Sequence, residues 1–106
     1  MKELTRIEEI LLLAIWRLKD QAYGVKIRQH VSDVLKKEFT YGNLYSALDQ
    51  LAKKQFVTKT VGEPAPNRRG RSRIYYTVSS EGAKALKASR EMQDTMWAGI
   101  SKAAFS

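Results

Sequence analysis

The chain has 106 residues, no cysteine and a formal net charge of +8. This length predicts one small domain, and without cysteine there is neither a disulfide framework nor a thiolate metal site. No segment has the pattern of a signal peptide, and the apolar run 10–15 is too short to span a membrane, so a cytoplasmic protein is expected.

The first predicted element is a helix that is apolar on nearly every side. Thr5 and Glu8 have the spacing of a capping box, which places the helix start at Thr5. The main apolar stripe of the segment IEEILLLAIWRL leaves Leu12, Leu13 and Trp16 pointing elsewhere. A helix that is apolar all round must be buried all round, and a small domain has little surface for this. Burial by a second chain is therefore expected.

Two further helices are predicted, over YGVKIRQHVSDVLKK and TYGNLYSALDQLAKK, the second with Thr40 as its N-cap. Their apolar stripes are Ile27, Val31, Val34 and Leu35 in the first, and Leu44, Ala47, Leu48 and Leu51 in the second. Gly42 lies so early in the latter helix that it indicates a close approach to the backbone.

After Gln55 the apolar period changes from helical to alternating. FVTKTVG and RIYYTVS predict the two strands of a hairpin, joined by the loop GEPAPNRRGRS. The segment Lys53–Arg73 contains seven Lys and Arg residues against Glu63, which is +6 of the net +8. Such a concentrated patch favours a polyanionic partner. The alternative is a solvated, solubilising surface.

The last predicted element is a long helix over EGAKALKASREMQDTMWAGISKAAF, capped by Ser79 or Ser80. Its apolar stripes have too little domain to pack on, which favours a helix of another subunit as their partner. The predicted division is a winged helix DNA-binding domain over residues 1–79 and a C-terminal dimerisation helix over residues 80–106.

The predicted fold is therefore mainly α with a small β-hairpin, in the order of a winged helix-turn-helix, followed by the long C-terminal dimerisation helix. In that arrangement the third helix is the recognition helix, and its N-terminal residues meet base edges in the major groove. The basic hairpin tip is the wing, where flexibility is tolerated because phosphate contacts do not need fixed geometry.

Two motifs resemble those of the PadR family of bacterial transcriptional regulators. FTYGNLYSALDQLAKKQFV is similar to the family's recognition-helix signature, Pro-Gly-Thr-Leu-Tyr followed by Leu-x-x-Leu, and RSRIYYTVSSEG to its Arg-x-Tyr-Tyr strand. The matching residues are Gly42, Leu44, Tyr45, Leu48 and Leu51 in the helix, and Arg73, Tyr75, Tyr76, Ser79 and Gly82 in and after the strand. Tyr41 and Asn43 replace the usual Pro and Thr, so the operator sequence does not transfer from relatives.

The resemblance, which extends over residues 7–90, implies a function and partners. Small members of the family are homodimers through the first and last helices, and they typically repress transcription. Many respond to phenolic acids, drugs or other aromatic compounds, which loosen DNA binding. The partners implied here are a palindromic operator in double-stranded DNA, a second copy of the chain and an aromatic effector, with no membrane partner.

The candidate DNA contacts lie on the recognition helix and the wing. Tyrosine hydroxyls reach phosphates, and an asparagine can pair with adenine. The candidates are Tyr41, Gly42, Asn43, Tyr45 and Ser46 on the helix, and Arg68, Arg69, Arg71 and Arg73 on the wing. The alternatives are that Tyr45 packs against the base of the wing, that the basic loop has no fixed register, and that Arg73 is structural.

The candidate effector and dimer residues are Trp16, Met92, Met96 and Trp97, whose aromatic faces and adaptable thioethers suit a planar apolar ligand. The alternative is simple interface packing. No catalytic constellation, metal-ligand spacing or phosphate-binding glycine loop is apparent, so neither an enzyme nor a cofactor is expected. Two other functions stay open: a small-molecule sensor centred on the aromatic interface, and a winged-helix module that binds an acidic protein.

Overall fold

The computed structural model describes residues 3–62 and 73–102 of the chain. In order, the elements are α1 (Arg6–Leu18), a single 3₁₀ turn (Lys19–Gln21), α2 (Gly24–Leu35), α3 (Tyr41–Lys53), β1 (Val57–Val61), β2 (Ile74–Val78) and α4 (Ser80–Trp97). The predicted fold class, mainly helical with one antiparallel hairpin, is confirmed.

Side-chain caps start three of the helices where the sequence places them. The Thr5 hydroxyl accepts from the Glu8 amide at 3.1 Å, and the Glu8 carboxylate accepts from the Thr5 amide at 2.8 Å, which completes the capping box of α1. Thr40 caps α3 by accepting from the Asn43 amide. Ser79, rather than Ser80, caps α4. Each cap satisfies amides that the helix leaves without a partner.

The core lies where α1, α2, α3 and the hairpin meet. Its fully buried side chains are Leu11, Leu12, Ile15, Ile27, Val31, Leu44, Leu48 and Leu51. Burying a Leu, Ile or Val side chain is worth about 1.5–3 kcal/mol, so this cluster dominates the stability of the fold. Two expectations were wrong: Leu12 belongs to this core, and Val34, expected in the stripe of α2, is 58% exposed.

The hairpin is antiparallel, with Val57 opposite Val78 and Val61 opposite Ile74. It is tied to the helices by an isolated bridge between Tyr23 and Tyr75, and by the Tyr76 amide, which donates to the Ala22 carbonyl at 2.8 Å. The entry of α2 is thus held against β2, so the hairpin keeps a fixed position beside α2 and α3.

One ion pair is built into the domain where α1 meets the end of α3. The Glu8 side chain is buried, and its Oε1 accepts from Lys54 Nζ at 2.6 Å. Burial raises the pKa of Glu8, but hydrogen bonds from Lys54 and Thr5 and the Lys54 charge outweigh it, so this pKa lies below its ordinary value.

The α4 helix is shorter than predicted. The sequence favoured a helix over residues 81–105, but α4 ends at Trp97, where the Ala98 amide turns back to the Thr95 carbonyl. Gly99 follows at φ +83, a left-handed conformation that glycine adopts readily and that ends helices. Ile100 therefore lies beyond the helix, and residues 103–106 lie outside the described residues.

Candidate DNA interface

The first two turns of α3 form one end of the domain surface. Tyr41, Gly42, Asn43, Tyr45 and Ser46, the predicted DNA contacts of this helix, are all exposed. The opposite side of α3 is fixed in the core by its buried leucines. A Cβ at position 42 would meet no atom of the described residues within 4 Å, so they leave the backbone at Gly42 accessible.

The two tyrosines of this surface form a stack. The rings of Tyr41 and Tyr45 have centroids 6.2 Å apart and planes inclined by 18°. The Tyr45 hydroxyl lies over Gly24 at the start of α2, where an added Cβ would be 2.6 Å from the oxygen. Tyr45 is thus 48% exposed and also packed against α2 near the base of the wing.

Arg28 of α2 lies at the other end of the stack. Its guanidinium carbon is 4.4 Å from the centroid of the Tyr41 ring, within the range of a cation–π interaction. Its Nη1 donates to the Phe39 carbonyl at 3.1 Å and is 3.9 Å from Glu38. The rings therefore lie between a cation on one side and a glycine on the other.

A second arginine–tyrosine cluster joins the base of the wing to α2. The Arg73 guanidinium carbon lies 4.3 Å from the Tyr23 ring, and Tyr75 meets the same ring edge-on at 5.5 Å. The Nε atoms of Arg28 and Arg73 are buried and make no hydrogen bond within the described part of the chain. Arg73 therefore has a structural contact at strand entry, one of the two roles that the sequence left open for it.

Tyr76 of β2 is buried, and it lies in a crevice together with Tyr45 of α3 and Arg73. Burial raises the pKa of Tyr76, and the nearby Tyr45 and Asp49 raise it further. Its hydroxyl stays protonated at neutral pH. The other three wing arginines, Arg68, Arg69 and Arg71, lie outside the described residues.

The predicted effector residues lie on α1 and α4 rather than on α3 or the hairpin. Trp16 lines a groove of about 790 Å³ between α1 and α4, together with Leu13 and Leu86. Met92, Met96 and Trp97 do not line this groove, but follow α4 as an exposed apolar row. The chain thus brings only Trp16 of the four into a concave site.

Other kinds of site find no support in the described residues. They contain no cluster of metal-ligating side chains, and no described helix is long and apolar enough to cross a membrane.

Comparison with known protein families decides the class of regulator. The model of the transcriptional regulator PadR-like family matches residues 12–88. The chain belongs to the PadR-like family. Transcriptional regulation through DNA binding is therefore its general function, and the expectation that it is not an enzyme is confirmed, because members of this family are transcriptional regulators. Comparison with curated proteins gives no match.

Solved structures of other proteins share the fold. A PadR family transcription regulator from Clostridium difficile R20291 is 27% identical, with a TM-score of 0.58 and 85% of each chain covered. RosR of H. salinarum is 22% identical, with a TM-score of 0.73 over 94% of this chain and 83% of that one. A transcriptional regulator from Clostridium thermocellum is 24% identical, with a TM-score of 0.69 over 86% and 85%. These likenesses confirm the winged-helix architecture.

Sequence reasoning missed the contact between Arg28 and Tyr41. Arg28 is thirteen positions from Tyr41, on a different helix, and no periodicity joins the two residues. The one available signal was the tyrosine itself, since an aromatic ring at the exposed start of a helix is a natural partner for a nearby cation.

Proposed function

We propose that this PadR-like regulator is a homodimeric repressor that binds a palindromic operator in double-stranded DNA and reads it with the first turns of α3. The observation that carries the proposal is the asymmetry of α3. Its leucines are fully buried, whereas residues 41–43, 45 and 46 are exposed, polar or aromatic, and leave the backbone open at Gly42. A recognition helix needs a fixed inner face and an accessible N-terminal end.

In this arrangement Asn43 contacts a base and the tyrosines contact the DNA backbone. An Asn side chain can pair with two atoms of adenine, which is worth about 1–3 kcal/mol of discrimination. Tyr41 and Tyr45 present hydroxyls beside the helix start, in reach of phosphates. Arg68, Arg69 and Arg71 supply the sequence-independent attraction of the wing.

The test compares Asn43→Ala with the wild-type protein on two duplexes. One is selected from random-sequence duplexes by binding to the wild-type protein, and the other is a shuffled version of it. Asn43→Ala is expected to weaken binding to the selected duplex by about 1–3 kcal/mol and to leave the shuffled duplex nearly unchanged. Gln50→Ala is the matched control, an exposed amide two turns further along α3. Equal losses on both duplexes would assign Asn43 to the DNA backbone instead.

The wing is tested by the salt dependence of binding. Replacing Arg68, Arg69 and Arg71 by Ala is expected to weaken both duplexes alike. It should also flatten the plot of log affinity against log salt, because fewer counterions are released. An unchanged slope would remove these arginines from the interface.

The homodimer is supported by large apolar side chains that are exposed on α1 and α4. Leu13 and Trp16 of α1 and Met92, Met96 and Trp97 of α4 are between 46% and 69% exposed. Two copies related by a two-fold axis would present two α3 helices to successive major grooves.

Met96→Lys is expected to shift the sedimentation profile towards monomer, whereas Val34→Lys, on the exposed side of α2, is not. A wild-type monomer at micromolar concentration would contradict the proposal.

The groove at Trp16 supports an aromatic effector that relieves repression. Its apolar wall suits a planar ligand, and its rim carries charged groups from α4. A planar dye that quenches tryptophan fluorescence and releases the selected duplex would support this role. Quenching without release would favour a sensor whose main site is the interface. Failure to bind any duplex at low salt would favour a module that binds an acidic protein.

A further inference from the structure

We infer that Arg28 is a positioning residue for DNA reading: it fixes the Tyr41 ring, and through it the Tyr45 ring, in the orientation that α3 presents to DNA. The inference rests on the proposed function of α3. It concerns a residue of α2 that belongs neither to the recognition helix nor to the wing.

The segment between α2 and α3 is held by α2 at both backbone groups of Phe39. The Phe39 carbonyl accepts from Arg28 Nη1 at 3.1 Å, and the Phe39 amide donates to the Ser32 hydroxyl at 3.0 Å. The Phe39 side chain is buried. Since this residue lies two positions before Tyr41, the start of α3 is fixed relative to Arg28.

From this fixed point the arginine covers one face of Tyr41. The distance of 4.4 Å from the guanidinium carbon to the ring centroid places the cation where the negative face of the ring attracts it. Glu38, at 3.9 Å from Nη1, is an exposed partner for the same guanidinium. Arg28 thus selects one orientation of a side chain that is otherwise 42% exposed.

The stack passes this orientation on to Tyr45. Nearly parallel rings with centroids 6.2 Å apart are in the offset arrangement that aromatic pairs prefer. The Tyr45 hydroxyl rests over Gly24, where a Cβ would come within 2.6 Å of it. The sequence of contacts from Arg28 through both rings to Gly24 leaves neither tyrosine free to choose another rotamer without losing a neighbour.

Pre-organised side chains bind more tightly, because the entropy of ordering them is lost before the DNA arrives. Arg28 contributes to affinity in this way rather than by touching a phosphate. Its guanidinium is already occupied by the Tyr41 ring, the Phe39 carbonyl and Glu38, and only 27% of its side chain is exposed. Its removal should therefore change affinity and leave the salt dependence unchanged.

The experiment uses Arg28→Met, Tyr41→Leu and the double variant on the selected and shuffled duplexes, each at several salt concentrations. Arg28→Met keeps an unbranched apolar stem and removes the guanidinium. The expected result is a loss of about tenfold on the selected duplex, the size of a partly exposed cation–π interaction, with the salt slope of the wild type. In the Tyr41→Leu background the same change should cost clearly less, because the ring is absent and only the hydrogen bond to the Phe39 carbonyl remains to be lost. Lys84→Met, which removes an exposed charge at the start of α4, is the control for net charge.

A second readout does not involve DNA. In the free protein the Arg28 side-chain protons should show a ring-current shift in the NMR spectrum that disappears in Tyr41→Leu, and the Tyr45 ring resonances should move in Arg28→Met. Absence of these shifts overturns the inference even if Arg28→Met binds DNA weakly.

The outcomes separate this inference from the proposed function. If the wild-type protein prefers the selected duplex and Arg28→Met binds it equally well, the inference alone fails. A salt slope lowered by about 1 would make Arg28 a direct phosphate contact and overturn its positioning role. Equal losses with and without the Tyr41 ring would do the same. If the wild-type protein does not discriminate between duplexes, both the inference and the proposed function fail.

Discussion

Glu8 and Glu9 are neighbours on α1, yet they close two different junctions. Glu8 is buried and joins α1 to the end of α3 through Lys54, at 2.6 Å. Glu9 is half-buried and joins α1 to α4, where it accepts from Gln93 Nε2 at 2.9 Å and from Ser89 Oγ at 3.1 Å. Consecutive residues on a helix point about 100° apart, so one helix serves both junctions.

The two junctions differ in whether water can replace the hydrogen-bond partners of the carboxylate. A buried carboxylate loses its hydration, and at Glu8 the Lys54 cation and the Thr5 hydrogen bonds compensate for this loss. The donors of Glu9 are neutral, and Glu9 and Gln93 line the open groove that contains Trp16. The buried ion pair thus holds α1 against the end of α3, whereas the direction of α4 depends on weaker contacts. In the proposed dimer, the same direction sets the distance between the two α3 helices.

The largest expected effect on stability comes from breaking the buried ion pair between Glu8 and Lys54. Lys54→Met leaves the Glu8 charge without its cation, and a buried pair that loses one partner typically costs about 3–5 kcal/mol of unfolding free energy. Urea unfolding at neutral pH measures this cost. Lys53→Met removes an exposed neighbour with the same charge and should stay within about 0.5 kcal/mol of the wild type. Similar unfolding free energies for the two variants would show that the ion pair does not stabilise the fold.

The start of α4 is packed tightly against the rest of the domain, and substitution of Gly82 tests this packing. A Cβ at Gly82 would overlap the Phe56 carbonyl oxygen, so Gly82→Ala is expected to cost about 1–3 kcal/mol. Gly42→Ala is the contrasting variant. Position 42 is open, and replacing glycine by alanine in a helix stabilises it by about 0.5–1 kcal/mol. Thermal unfolding should therefore shift in opposite directions, and equal shifts would contradict the tight docking of α4.

Most of the fold could be predicted because its signals are local. The caps at Thr5, Thr40 and Ser79 mark helix starts, and the change of apolar period after Gln55 marks the hairpin. The end of α4 could not be read in this way. Its apolar spacing continues through Ile100, but Gly99 takes a positive φ and breaks the helix first.

The parts of the candidate site that could not be predicted depend on contacts between elements. Tyr41 and Tyr45 are four residues apart on one helix, so their proximity follows from helical geometry. Their position between Arg28 and Gly24 depends on how α2 packs against α3, which no spacing in the sequence specifies. For the same reason, Trp16 was grouped with the exposed row of α4, although the groove that it lines contains none of that row.

The pH dependence of stability is a smaller effect that sharpens the comparison. The pKa of Glu8 in the folded state lies below its ordinary value of 4.5, so the ionised form favours folding. This contribution is fully present above about pH 4.5 and is lost as the pH falls through the lower, folded-state pKa. In Lys54→Met only the Thr5 hydrogen bonds still oppose the effect of burial, so we expect the pKa of Glu8 to rise and the variant to lose less stability in acid than the wild type. The stability difference between wild type and Lys54→Met should therefore shrink in acid, whereas a constant difference would mean that Glu8 is not the group responsible.

The smallest expected change in stability is at the junction between α1 and α4 that Glu9 forms. Glu9→Gln keeps an acceptor for one of the two donors from α4, so it should cost less than about 1 kcal/mol, the usual net value of a hydrogen bond at a site that water can reach. Glu91→Gln, an exposed residue on the groove rim, is the control in the same unfolding measurement. A cost as large as that of Lys54→Met would erase the difference between the two junctions. The small cost matters because it leaves the domain intact while loosening α4. In the proposed dimer, a loss of binding to the selected duplex by Glu9→Gln would therefore indicate a changed spacing of the two α3 helices rather than a damaged helix-turn-helix.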